Sequence, residues 1–127
     1  MFHKFNICLL AGMQLFKTFK KFVMIWHKIA ETIAELSFNK DGLTTLEIEG
    51  KRVCLVNYNN EIGACAAKCP HAGANMSDGY IDALGNIVCP LHRYKFSMKN
   101  GRNTSGEGYF LKTYTIEVRK DGVFVRI

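Results

Sequence analysis

The sequence predicts an all-β fold, and three observations lead to that prediction. The chain has 127 residues, the size of one globular domain, and 48% of them are apolar. Glycine is common, with 11 residues, whereas proline is rare, with 2. From residue 26 onward, short runs of strand-forming residues alternate with turn residues, and only 31–36 hints at a single helical turn.

The predicted strands follow one another with turn sequences between them. Alternating or compact apolar runs place strands at 26–30, 43–49, 53–56, 62–67, 111–118 and 123–127. Turn residues separate them at Asp41-Gly42, Gly50-Lys51, 57–60, Leu84-Gly85-Asn86 and Asp121-Gly122. A hairpin within 72–88 would return the chain to the point where it started, so the segments on either side of it are expected to lie face to face.

The first 23 residues differ from the rest. Residues 7–16 are mostly apolar but too short to span a bilayer, so no transmembrane span is predicted. Three interpretations stay open: an over-extended start with Met24 as the native first residue, an amphipathic segment that touches a membrane or partner, or a poorly cleaved signal. The domain proper is therefore expected to cover 24–127.

Charge and cysteine usage exclude some functions. The net charge is +6, but residues 24–127 keep 13 basic and 11 acidic residues, a net of +2. The basic residues are scattered, so no nucleic-acid partner is predicted. Five cysteines, an odd number without a convincing signal peptide, argue against a disulfide framework. A reducing, cytoplasmic location with metal-bound thiolates fits better.

Two similar loops carry the chemistry of the chain. Cys69-Pro70-His71 is followed by seventeen residues and then by Cys89-Pro90-Leu91-His92. Two soft thiolates and two imidazoles suit either an iron–sulfur centre or zinc. Each proline stiffens its loop and removes one backbone donor. Gly73 and Gly79 permit tight backbone around the site.

These paired boxes resemble those of the Rieske proteins, and within that family the soluble Rieske ferredoxins of bacterial ring-hydroxylating oxygenase systems. The resemblance runs from about residue 26 to 127. It implies one Rieske [2Fe-2S] cluster, with Cys69 and Cys89 as thiolate ligands of the inner iron and His71 and His92 as imidazole ligands of the outer iron. It also implies an antiparallel β-sandwich base with a rubredoxin-like cluster subdomain inserted at about 67–94.

Four positions depart from the respiratory Rieske branch. That branch has an additional cysteine in each box, where this chain has Ala74 and Leu91, so no disulfide braces the cluster. It also has a serine and a tyrosine whose hydroxyls bond to sulfur, where this chain has Tyr94 and Phe96. Hydrogen bonds to the cluster sulfurs stabilise the more negative, reduced state. This chain is expected to form fewer of them than the respiratory branch does. We therefore expect a potential near the low end of the Rieske range, about −150 mV.

Other conspicuous residues are predicted to have structural roles. Cys54 and Cys65 lie in strand patterns and are expected to be core residues rather than ligands. Trp26, Phe110 and Tyr114 are expected in the core as well. The basic residues that flank the loops are either ordinary solvated charges or a weak positive rim for an acidic partner: Lys68, Arg93 and Lys95.

The predicted function is electron transfer. The resemblance implies that a flavoprotein NAD(P)H reductase reduces the cluster, which passes single electrons to an oxygenase or similar oxidoreductase. No catalytic acid, base or nucleophile is assigned, so the protein alone is not expected to be an enzyme. Two alternatives remain: the small Rieske-like subunit of a nitrite reductase complex, and a structural zinc module.

Overall fold

The computed structural model describes residues 24–127, and the predictions about 1–23, including Cys8, lie outside the described residues. Nine strands and two short 3₁₀ turns make up its regular structure, which confirms the all-β prediction. The strands are β1 Trp26–Ala30, β2 Leu43–Ile48, β3 Lys51–Tyr58, β4 Glu61–Ala66, β5 Tyr80–Ile81, β6 Asn86–Val88, β7 Lys95–Ser97, β8 Thr113–Arg119 and β9 Gly122–Arg126. The 3₁₀ turns are Ile33–Glu35 and Met76–Asp78. No helix within 24–127 is long and apolar enough to cross a membrane.

Six strands form the larger antiparallel sheet, in the order β1-β9-β8-β4-β3-β2. Strand β3 lies between two apolar cores, because its successive side chains point to opposite faces. Val53 and Leu55 join the core of the base, whereas Cys54 and Val56 join the core beneath the two cysteine–histidine loops. This double burial explains why the run reads as continuously apolar instead of alternating.

The smaller sheet has the order β5-β6-β7 and holds the second loop, which connects β6 to β7. Strand β7 pairs with β6 through Phe96 and Ile87, so this sheet continues beyond the range of about 67–94 that was expected for the inserted subdomain. Sequence reasoning missed β7 because a three-residue strand gives almost no periodicity.

Hydrogen bonds join the larger sheet and the loop before β2 to the 3₁₀ turn that follows the first loop. The Thr45 hydroxyl of β2 lies 2.9 Å from the hydroxyl of Ser77, and the Asn39 side-chain amide donates to the Ser77 carbonyl at 3.1 Å. Ser77 belongs to the 3₁₀ turn that follows the first loop. The base therefore sets the position of the segment from which that loop projects.

Candidate metal centre

Each of the two predicted ligand loops is closed by a backbone hydrogen bond of the same type. The Cys69 amide donates to the Ala74 carbonyl, and the Cys89 amide donates to the Tyr94 carbonyl, each at 2.8 Å. Both bonds link a residue to the fifth residue after it. The sequence similarity of the loops is thus matched by a similarity of backbone path, which presents each cysteine and histidine in the same order.

The two loops place different residues in the left-handed backbone conformation that their turns contain. Gly73 has φ +72°, a left-handed conformation that glycine adopts without penalty. The second loop has no glycine, and His92 and Arg93 take φ values of 66° and 60° instead. Such a conformation is uncommon for residues with a side chain and recurs at functional sites. No glycine marks this turn in the sequence, so sequence reasoning missed the strain.

The two cysteines form a buried thiol pair. Cys69 is 2% exposed and Cys89 is fully buried, and both belong to one apolar core with Phe96. Burial raises the pKa of Cys89 to about 11; its contact with the Cys69 thiol also raises this pKa, and a hydrogen bond from the Leu91 amide lowers it. Because metal ligands are thiolates, binding a metal centre here must release protons.

The two histidines form an imidazole pair nearer the surface. The ring centroids of His71 and His92 lie 5.1 Å apart with the planes tilted by 59°. His92 is exposed and His71 is half-buried. The Nδ1 atom of His71 is buried and has no hydrogen-bond partner. An orphaned buried nitrogen is costly unless it has a ligand, so this atom fits a metal bond.

The four predicted ligands are therefore arranged as two pairs. In residues 24–127 no three histidine, cysteine, aspartate or glutamate side chains are grouped closely enough to hold one metal ion. The thiols pair in the core and the imidazoles pair above them. Two pairs of this composition suit a two-iron cluster in which one iron takes both cysteines and the other both histidines.

Two tyrosines that were not predicted as site residues surround His71. The ring of Tyr94 stacks on that of His71 with centroids 4.1 Å apart and planes 28° apart, and Tyr109 lies at 5.3 Å. Burial raises the pKa of Tyr94, and the nearby Glu107 carboxylate adds to the effect, so the phenol stays neutral at pH 7. Tyr109 lies 38 residues beyond His71, and no sequence spacing could have linked them.

The remaining predictions near the site have mixed outcomes. Phe110 is 62% exposed, so the prediction that it is a core residue is wrong; its neighbour Leu111 is the buried one, at 1%. Lys68 and Arg93 are exposed, which both interpretations of the flanking charges allow. Lys95 instead forms an ion pair with the Asp82 carboxylate at 3.8 Å, and this carboxylate partly neutralises the charge of the lysine.

Comparison with known proteins decides which family these loops belong to. The family model of the Rieske [2Fe-2S] domain matches residues 25–114, a span that includes both loops and all four predicted ligands. The chain is a member of this family. The Rieske cofactor is a [2Fe-2S] cluster, so the zinc alternative is set aside.

Individual Rieske relatives agree with the fold. The ferredoxin component of the naphthalene 1,2-dioxygenase system of Pseudomonas aeruginosa is 28% identical over 100 residues, covering 78% of this chain and 95% of the relative. In the solved complex of reduced oxygenase and oxidised ferredoxin in carbazole 1,9a-dioxygenase, a chain is 22% identical, with 80% and 92% coverage and a TM-score of 0.67.

A third relative bears on the nitrite reductase alternative. The putative NADH-dependent nitrite reductase small subunit of Mycobacterium tuberculosis is 19% identical, with 83% and 96% coverage and a TM-score of 0.70. At this identity the likeness shows a shared fold alone. The Rieske fold is therefore common to ferredoxin components and to this kind of subunit.

Proposed function

We propose that Cys69, His71, Cys89 and His92 hold the Rieske cluster, and that the protein carries single electrons between a flavoprotein reductase and an oxygenase or similar oxidoreductase. The protein would act as a carrier in the cytoplasm and would not catalyse a reaction by itself. A reducing compartment suits a chain whose four described cysteines are all free thiols.

One observation carries this proposal: the site is polarised from core to surface. The thiol pair is almost completely buried, whereas one imidazole of the pair above it, His92, is exposed. When bound, the cluster supplies one-electron exchange. The chain excludes water from the thiol side with Phe96 and Ile87, both fully buried, and leaves His92 where a docked partner can approach.

The names of the relatives support an oxygenase as one redox partner. The Pseudomonas aeruginosa relative is a ferredoxin component of a dioxygenase system, and the carbazole structure holds ferredoxin together with oxygenase. Leu91, next to the exposed imidazole, is 43% exposed. A partly apolar tip of this kind suits short-lived contact with another protein, because apolar area can be buried there without the formation of many polar bonds.

The ligand assignment is tested by EPR of the dithionite-reduced protein with iron analysis. We expect two irons per wild-type chain and a rhombic signal whose average g value is below that of the free electron. His71→Ala and His92→Ala should each abolish the signal, because the outer iron loses half of its protein ligands. His27→Ala is the matched control, since His27 lies in β1 outside the site. A rhombic signal that persists in either site variant refutes the assignment.

The carrier role is tested by anaerobic stopped-flow mixing. NADH and a flavoprotein ferredoxin reductase should reduce the cluster, and the reduced protein should then be reoxidised by the resting oxygenase of a matched Rieske system. Ferredoxin without reductase serves as the control. A protein that shows the Rieske spectrum but is consumed as a stoichiometric, non-recycling reductant contradicts the carrier role.

A further inference from the structure

The strongest feature that the proposed function does not use is the set of rings around His71. Tyr94 stacks on this imidazole at 4.1 Å, and Tyr109 packs against it at 5.3 Å with a tilt of 58°. The two tyrosines also contact each other, with centroids 5.8 Å apart. His71 is therefore held in a small aromatic cluster built from three separate parts of the chain.

The two imidazoles differ in their aromatic contacts and in their exposure to solvent. His92 is exposed, and its distance to Tyr94 is 6.3 Å. His71 is half-buried, and its buried Nδ1 has no partner. A ring fixed by stacking loses less rotamer freedom when it binds a metal, because most of that freedom is already lost.

The segment that carries Tyr109 is itself tied to β7. The Asn103 side-chain oxygen accepts hydrogen bonds from the amides of Glu107 and Gly108, at 2.6 and 3.3 Å. Its side-chain amide donates to the Lys95 carbonyl at 3.2 Å. This network places Tyr109 beside the second loop. Tyr94 is held separately, because its carbonyl accepts a hydrogen bond from the Cys89 amide.

We propose that Tyr94 and Tyr109 are positioning residues that form an aromatic clamp on His71, hold its Nδ1 turned inward, and shield this ligand from solvent. The inference rests on the proposed assignment of His71 as a ligand. The clamp makes the two imidazoles unequal: His71 anchors the outer side of the site, and His92 is the solvent-facing imidazole through which partners make contact.

The test uses full-length holoprotein with single substitutions. Tyr94→Leu and Tyr109→Leu remove an aromatic partner but keep a side chain of substantial volume, whereas Tyr94→Phe and Tyr109→Phe keep the ring. Tyr80→Leu is the matched control, because Tyr80 is 43% exposed, like Tyr109 at 41%, and lies in β5. The readouts are the g values and line width of the reduced EPR signal, and the rate of bleaching in excess chelator.

We expect the leucine variants to bleach roughly three- to tenfold faster than wild type, the size of effect that an aromatic pair supports, with shifted or broadened g features. The phenylalanine variants and Tyr80→Leu should match wild type. Circular dichroism melting identifies a leucine variant that has simply lost its fold. In that case Asn103→Ala, which releases the Tyr109 segment without altering either ring, takes its place and should also bleach faster.

Two failures are distinguishable. A wild-type protein without the Rieske EPR signal overturns the proposed function and its ligand assignment. A wild-type protein with the signal, whose leucine variants bleach at the wild-type rate with unchanged g values, overturns the clamp alone. Faster bleaching in the phenylalanine variants also contradicts it, since those retain the stacked rings.

Discussion

Cys54 and Cys65 stand directly opposite each other in the β3–β4 register, and their thiols are in contact within the core that also contains Cys69 and Cys89. Both are fully buried, which confirms that they are core residues. The hydrogen bond with Cys54 raises the pKa of Cys65 well above its ordinary value, and burial raises it further. Cys54 and Cys65 lie in strands β3 and β4, outside the two loops that carry the predicted ligands.

We therefore expect Cys65→Ser to keep its iron while losing stability. A hydroxyl is more polar than a thiol, and in this apolar core it should cost about 1–3 kcal/mol of unfolding free energy. Iron analysis and urea unfolding measure the two effects. Cys69→Ser is the comparison that should lose iron, and iron loss in Cys65→Ser would show that this residue supports the cluster directly.

Gly79 precedes β5, where Tyr80 pairs with Val88, and the backbone of the two segments is unusually close there. A Cβ at position 79 would lie 1.9 Å from the Val88 carbonyl oxygen. Gly79→Ala should therefore separate β5 from β6 and cost about 3 kcal/mol or more.

Gly63→Ala is the matched control for that substitution. Its Cβ would meet only the mobile end of the Met98 side chain, at 3.2 Å, so the neighbour can move aside. Urea unfolding of both variants measures the difference, and equal stabilities would contradict the steric explanation.

Asp82 organises the turn between β5 and β6 and makes the fold sensitive to acid. Partial burial alone would raise its pKa, but hydrogen bonds from Asn86 and Leu84 and the charge of Lys95 outweigh burial and lower the pKa below its ordinary value. The folded state therefore binds this proton less readily than the unfolded chain does. The resulting stabilisation is complete above the unfolded pKa of about 3.9 and is lost as pH falls through the lower folded pKa.

Urea unfolding of wild type and Asp82→Asn between pH 6 and pH 2.5 measures this dependence. The wild type should be the more stable protein at pH 6, and the difference should shrink towards low pH. A difference that stays constant over this range would show that the Asp82 charge contributes nothing.

The reduction potential should lie near the low end of the Rieske range, about −150 mV. Phe96 is fully buried and has no hydroxyl, and the Tyr94 ring is stacked on His71. Phe96 therefore cannot donate a hydrogen bond to a cluster sulfur. Protein-film voltammetry measures the potential, and a value above about +100 mV would indicate hydrogen bonds to the cluster that these residues do not suggest.

Most of the base could be predicted because its strands are long enough to show a pattern. The first strand was predicted at its observed bounds, Trp26–Ala30. The turn predicted at 57–60 is shorter: β3 continues through Tyr58, and only Asn59 and Asn60 turn, each with positive φ. Asparagine tolerates that conformation, so the strand can extend up to a two-residue turn.

The sequence by itself determined the chemistry of this protein. Two cysteine–histidine boxes predict the donor atoms, because ligand type depends on residue identity and local spacing. The tertiary structure decided how those donors differ. It buried the thiols, left His92 exposed and brought Tyr109 onto His71. Exposure and long-range contact depend on how distant segments pack, and short-range sequence patterns carry no record of that packing.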